Sequence, residues 1–316
     1  MSLFLLKRFA TFIATLLAAS AVIFAVLDVL PGNVAEVMLG ESATPESMKA
    51  LSARLGLDRP PLTRYGDWMA GLARGDMGTS VAYDTPVLDL VKERLAVTLP
   101  LAVMAMALTT VAALALGVYA ASRHNKPGDA GVMVLSQLGI AVPTFWFAIL
   151  LVWLFAVKLH WVSAGGFPGW EDSLWEGVKA LLLPTIALAV FQTAILTRIT
   201  RSAVLEVLRE DFVRTARAKG LSRRQTLWRH VLRNAFVAVL TIMGLQFANL
   251  LAGTVIVESV FSLPGLGRLI FQAILNRDLV VVRNIVMLLA AAVIVINFVV
   301  DVLYAVIDPR LRAAHR

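Results

Sequence analysis

The residues able to carry chemistry are few and scattered. Four histidines, His124, His160, His230 and His315, stand far apart with no HxxxH or HExxH spacing, and cysteine is absent. Thiolate metal sites, iron–sulfur clusters, disulfides and a cysteine nucleophile are therefore excluded, and a zinc enzyme has no ligand set. No GxSxG elbow and no pair of acids on one apolar run is present, which argues against an intramembrane enzyme. No GxxxxGK[ST] phosphate loop exists, and Gly265-Leu266-Gly267 is too short to cradle a nucleotide. The expectation is a chain without catalytic residues, metal or cofactor. What remains is Asp28 and Asp301, each interrupting an apolar run at a cost in lipid. Asp301 is read as structural, accepting a hydrogen bond from Tyr304 or a neighbouring span. Asp28, shortly before Pro31-Gly32, is placed among headgroups. Gln137, Gln192, Asn249 and Asn297 are candidates for hydrogen bonds between spans.

The elements that must position these groups follow from composition. Of 316 residues, 59% are hydrophobic and only 16% charged, against about 25% charged in soluble domains. Six apolar runs are long enough to cross a bilayer as helices: roughly Phe9–Leu30, Leu95–Ser122, Ala130–Val157, Ala180–Thr197, Asn234–Val257 and Asn284–Ile307. Their Ala, Gly and Leu content suits close helix packing in lipid, so the expected fold class is all-α and polytopic. Lys7-Arg8 before the first run also fits a signal peptide, but the run exceeds a signal h-region and five more follow, which favours a retained anchor. Pro143 and Pro184 should kink their spans, whereas Pro100 should lie near a helix start.

The net charge of +8 is unevenly distributed. One side of the six spans carries 17 basic residues against 5 acids; the other carries 12 against 14. The basic side is expected to be cytoplasmic, with both termini inside. The excess charge is then a topology signal rather than a nucleic-acid footprint.

Two loops stand out. Residues 31–94, outside, resemble soluble protein in composition. Thr44-Pro45 reads as an N-cap with proline at the first helical position, Met48, Leu51 and Leu55 share a face, and Gly56 is a stop. After Pro60-Pro61 a second helix should carry Leu62, Tyr65, Trp68, Met69 and Leu72 up to a turn at Gly75-Asp76-Met77-Gly78. This segment is either a cap on the bundle or a dock for an external protein. On the other side, Arg198–Arg233 places Leu205, Leu208, Phe212 and Ala216 at helical spacing, then Gly220 as a left-handed stop. Ser222-Arg223-Arg224-Gln225 follows as a capping box for a helix with Leu227, Trp228, Val231 and Leu232. Helix, turn, helix with arginines superficially matches a DNA-binding motif, but both ends lead into spans. An interfacial pair on anionic headgroups and a surface fitted to a cytoplasmic partner are the other readings. The Glu258–Gly267 segment, on the outer side, is either a re-entrant turn or an outer gate or binding-protein contact.

At Thr215-Ala216-Arg217-Ala218-Lys219-Gly220-Leu221 the chain resembles the "EAA" signature of ABC importer permeases, with Thr215 where an acid often stands. An ordered set extends the resemblance to the B-type permease of the dipeptide/oligopeptide/nickel importer family. It comprises Leu55–Pro60, Gly75–Ser80, Thr197–Leu221, His230–Ala235, Glu258–Phe261, Pro264–Gly267, Arg277-Asp278 and Asp308–Arg310. The resemblance implies a type I permease fold: 1–94 as first span and periplasmic segment, 95–308 as permease core with a coupling helix near 212–228, and 309–316 as tail. It implies ATPase coupling through Arg214, Thr215, Ala216, Lys219, Gly220 and Leu221, and makes Glu258, Phe261, Pro264, Gly265 and Gly267 the candidate outer gate. Implied partners are a second homologous permease, two ATPase subunits that bind ATP and magnesium, a periplasmic binding protein and a peptide or similar solute. The implied location is a bacterial inner membrane. A secondary transporter or channel is the rival, disfavoured by scarce intramembrane charge.

Overall fold

The computed structural model describes residues 2–29, 44–54, 56, 58–171 and 173–307, and apart from one β-bridge between Thr79 and Pro86 the regular structure among them is helical. Five helices are long and apolar enough to cross a membrane. They are α1 (Ser2–Val29), α4 (Val87–Ser122), α7 (Leu174–Val207), α10 (Leu232–Val260) and α12 (Leu279–Ile307). The remaining apolar run, third in the chain, is sharply bent. Instead of one rod over Ala130–Val157, α5 (Pro127–Ala141) and α6 (Thr144–Leu151, continued as π-helix over Val152–Lys158) meet at 97°. Pro143 has no N–H and forces Val142 into extended backbone (φ −81°, ψ 120°), so a sharp corner replaces the expected kink. Pro184, by contrast, lies inside the single helix α7. Pro100 is well inside α4 rather than near its start, because the helix begins at Val87.

The helix α7 packs along α4 and α10, with α5 and α6 against it, while α1 lies on α12. Leu101, Leu181, Leu188, Leu250 and Val257 form the main core among these helices. Backbone proximity rests on small residues: a Cβ on Gly117 would overlap the Thr200 side chain. Gln192 and Gln246 each donate to the other's carbonyl (3.5 and 3.0 Å), joining α7 to α10 as the interhelical reading of Gln192 expected. Gln137 accepts from Arg198 (3.1 Å). Asp301 pairs with Arg8 on α1 (2.9 Å), so the neighbouring span supplies its partner. Asp28 pairs with Arg64 (2.7 Å). Pro31-Gly32, Leu55, Leu57, the Tyr304 side chain and 308–316 lie outside the described residues.

At one end of the bundle, α2 (Pro45–Arg54) and α3 (Pro61–Ala73) follow their sequence signals. Thr44 Oγ1 accepts from Ser47 N (3.1 Å), and Gly56 has φ +66°. Leu62 is carried by α3 but is 84% exposed, because α3 turns Trp68 and Tyr65 towards Phe24 of α1. The Gly75–Ser80 turn folds onto the start of α12. Asp278 accepts from Ser80 Oγ (2.5 Å), Ala82 N (3.0 Å) and Val281 N (3.1 Å). Asn284 donates to the Met77 carbonyl (2.7 Å) and accepts from Trp68 Nε1 (3.0 Å). These bonds explain why two motifs some two hundred positions apart occur in one chain. We expect Ser80→Ala to lower the melting temperature of the detergent-solubilised protein by a few degrees, since it removes one donor from a buried carboxylate at about 1–3 kcal/mol. An unchanged melting curve would contradict this account.

Candidate functional site

Two sites emerge, at opposite ends of α10. The first is the connection between α7 and α10. Helix α7 runs on through Val207, beyond the expected end near Thr197, so Leu205 belongs to it and not to the connecting helix. After a break, α8 spans Asp211–Ala218 and α9 spans Arg223–Thr226, continuing through a π-helical turn (Leu227–Val231) into α10. The 212–228 region is thus two short helices around one turn. Its buried face is carried by Val213 and Ala216, while Phe212 is 42% exposed, because the break after α7 resets the helical phase. Val213 packs with Val118, Ala121, Ala203, Val204, Val231 and Ala235, which seats the module on the ends of α4, α7 and α10.

The turn itself is closed by backbone bonds. Leu221 N donates to the Ala216 carbonyl (3.3 Å) and Gly220 N to the Arg217 carbonyl (3.0 Å), the paired bonds of a Schellman cap. Gly220 supplies the required left-handed conformation (φ +91°), and a Cβ there would meet nothing within 4 Å. Ser222 Oγ accepts from Gln225 N (3.3 Å) while Gln225 Oε1 accepts from Ser222 N (3.0 Å), completing the capping box. Arg214, Thr215, Lys219 and Gly220 are exposed together on this knob, Leu221 is half-buried and Ala216 is buried beneath it. The arrangement offers a rigid, cationic projection with its apolar side anchored to three spans. Sequence reasoning missed a brace beside it. Arg201 of α7 makes a bidentate pair with Asp129 at the start of α5 (2.5 and 2.7 Å), and Asn125 N donates to the same carboxylate (3.0 Å). No local spacing announces it, since the partners are far apart in the chain.

The second site is the segment between α10 and α11 (Leu266–Leu275). Glu258, Phe261, Gly265 and Gly267 are buried and Pro264 is half-buried, so the five residues singled out by motif do assemble. Glu258, fully buried, accepts from Thr98 Oγ1 (2.6 Å) and from Arg268 N (3.0 Å). Thr98 in turn accepts from Leu266 N (2.8 Å). The carboxylate thus sits at the N-terminus of α11, where free N–H groups favour a negative charge. A Cβ on Gly265 would overlap the Glu258 carboxyl group, and one on Gly267 would overlap the Val255 backbone. The Phe261 carbonyl accepts from Gly166 N (2.9 Å), tying the loop after α6 to the same place. Thr98 was not foreseen: a lone threonine in an apolar run carries no signal until α4 and α10 are packed together.

Residues 113–313 match the family described as binding-protein-dependent transport system inner membrane component, and residues 1–102 match the corresponding N-terminal family. A Brucella abortus protein named provisionally as a peptide transport system permease is 42% identical, over 99% of this chain and 99% of its own length. The di/tripeptide transport system permease protein of Pseudomonas aeruginosa is 39% identical, with 98% of each chain covered. Among solved structures, the inward-facing MetNI methionine ABC transporter shares the fold at a TM-score of 0.56 and 16% identity, covering 69% of this chain and 96% of that one.

Proposed function

The chain belongs to the binding-protein-dependent transport system inner membrane components, and from that premise we propose that it carries peptides across a bacterial inner membrane. It is a multi-pass permease subunit of an ABC importer, not an enzyme. Its partners in this proposal are a second homologous permease, two subunits that bind ATP and magnesium, and a periplasmic peptide-binding protein. The observation that carries the substrate class is the near end-to-end likeness to proteins named for dipeptide and di/tripeptide transport.

Residues 1–94 act as anchor and periplasmic segment, 95–308 as permease core and 309–316 as cytoplasmic tail. The turn at Arg214, Thr215, Ala216, Lys219, Gly220 and Leu221 is the contact with the ATPase subunits. Closure of those subunits on ATP pushes the knob, and its buried seat passes the displacement to the ends of α4, α7 and α10, shifting the population between two packings. At the opposite end, Glu258, Phe261, Pro264, Gly265 and Gly267 move as one body with α10 and form part of the outer gate.

Uptake of a labelled dipeptide into proteoliposomes tests the assignment. We expect ATP-dependent uptake when all partners are present, and neither uptake nor ATP hydrolysis from this chain alone. Uptake by the isolated chain driven by an ion gradient would replace the importer with a secondary transporter. The orientation has its own test: a reporter fused after Ser80 should be external and one after Ser222 cytoplasmic, and the reverse pattern would remove the ATPase contact from the cytoplasm.

A further inference from the structure

A cavity of about 270 Å³ lies where the first and last spans end, between α1, α3 and α12. Phe24, Leu27 and Trp68 provide apolar wall, and its polar lining includes three guanidinium groups and two carboxylates. Two of the cations are matched: Arg64 pairs with Asp28 (2.7 Å) and Arg59 with Asp67 (3.1 Å). Arg283 is not. Its guanidinium stacks over the Trp68 ring at 4.7 Å, and its buried Nε has no hydrogen-bond partner among the described residues. A ring face offsets only part of the cost of a desolvated cation, and an orphaned buried donor adds to that cost. Among the described residues the site therefore holds one uncompensated positive charge and an unused donor.

Asp28 closes the apolar stretch of the first span, and Arg283 lies within the first turns of the last, so the cavity is at the level where a bilayer presents its headgroups. We propose that this cavity binds the phosphodiester of an anionic phospholipid such as phosphatidylglycerol, with Arg283 as the principal donor. A single negative charge balances the site. A zwitterionic lipid offers the same phosphodiester but brings a quaternary ammonium beside three guanidinium groups, so the net charge stays positive, and a free phosphate dianion would exceed the balance while leaving the apolar wall unused. The bound lipid would tie α1 and the α3 cap to α12, the last helix of the permease core. This inference rests on the membrane-spanning fold and is independent of the direction and solute of transport.

Native mass spectrometry of the full chain, in micelles doped with equal amounts of phosphatidylglycerol and phosphatidylcholine, tests it. The wild-type protein should retain phosphatidylglycerol in about tenfold preference, the scale of one charge-assisted contact. Arg283→Gln should abolish the preference, Arg283→Lys should keep part of it, and Arg74→Gln, which removes an exposed cation outside the cavity lining, should keep it. Inorganic phosphate should not displace the lipid. Equal retention of both lipids by the wild-type protein overturns the proposal whether or not any variant folds. Undiminished preference in Arg283→Gln overturns the assignment to Arg283, and displacement by phosphate overturns the lipid in favour of a free anion.

Discussion

Gly220→Val is expected to leave the amount of protein in the membrane near wild type while reducing peptide uptake and binding-protein-stimulated ATP hydrolysis about tenfold or more. The residue has φ +91° with open space around it, so valine introduces no clash and its penalty is confined to the backbone. A left-handed conformation costs a non-glycine residue about 1–2 kcal/mol and a β-branched residue more. The turn can escape that strain by rotating out of the left-handed region, which breaks the Leu221-to-Ala216 and Gly220-to-Arg217 bonds and displaces the knob. The spans are held by their own core and should still assemble. Asparagine tolerates this conformation, so Gly220→Asn should retain most of the transport. Ser173→Asp, which keeps the side-chain acceptor capping α7, serves as control. Wild-type transport by Gly220→Val, or equal losses in the valine and asparagine variants, would end the coupling proposal.

The second large effect is expected at Gly265. Alanine there places a methyl group where the Glu258 carboxyl lies, so that side chain must shift within a fully buried setting. Either the carboxyl group withdraws from Thr98 and Arg268 or α11 moves off α10, and each buried donor left unsatisfied costs about 1–3 kcal/mol. Membrane abundance should fall several-fold and the melting temperature with it. Glu258→Gln should be milder, at about 1–3 kcal/mol, because one donor, Thr98 Oγ1 or Arg268 N, would face an amide NH₂ in place of an oxygen. Normal abundance and melting of Gly265→Ala would show that the segment is loose, contrary to its geometry.

Legibility in the sequence followed the range of the interactions. The apolar runs, the Ser222–Gln225 capping box, the Gly220 stop, the Thr44 cap and the corner residue Pro143 were readable because each depends on covalent geometry or on groups within about one helical turn. Helix limits were less so. Whether α4 begins at Val87 or Leu95, and whether α7 ends near Thr197 or at Val207, depends on where neighbouring helices keep a polar stretch in register. For the same reason Leu62 points outward and Val213 inward although both share helical spacing with their neighbours.

By itself the sequence determined a helical multi-span chain and the identity of the turn that projects between the fourth and fifth spans. Only the tertiary structure decided which distant groups complete one another: Glu258 with Thr98 and the start of α11, Asp278 with Ser80, Asp129 with Arg201, and Arg283 with the Trp68 ring. A buried charge must be satisfied by whatever the packing brings within about 3 Å, and that distance is set by the approach of helices, not by separation along the chain.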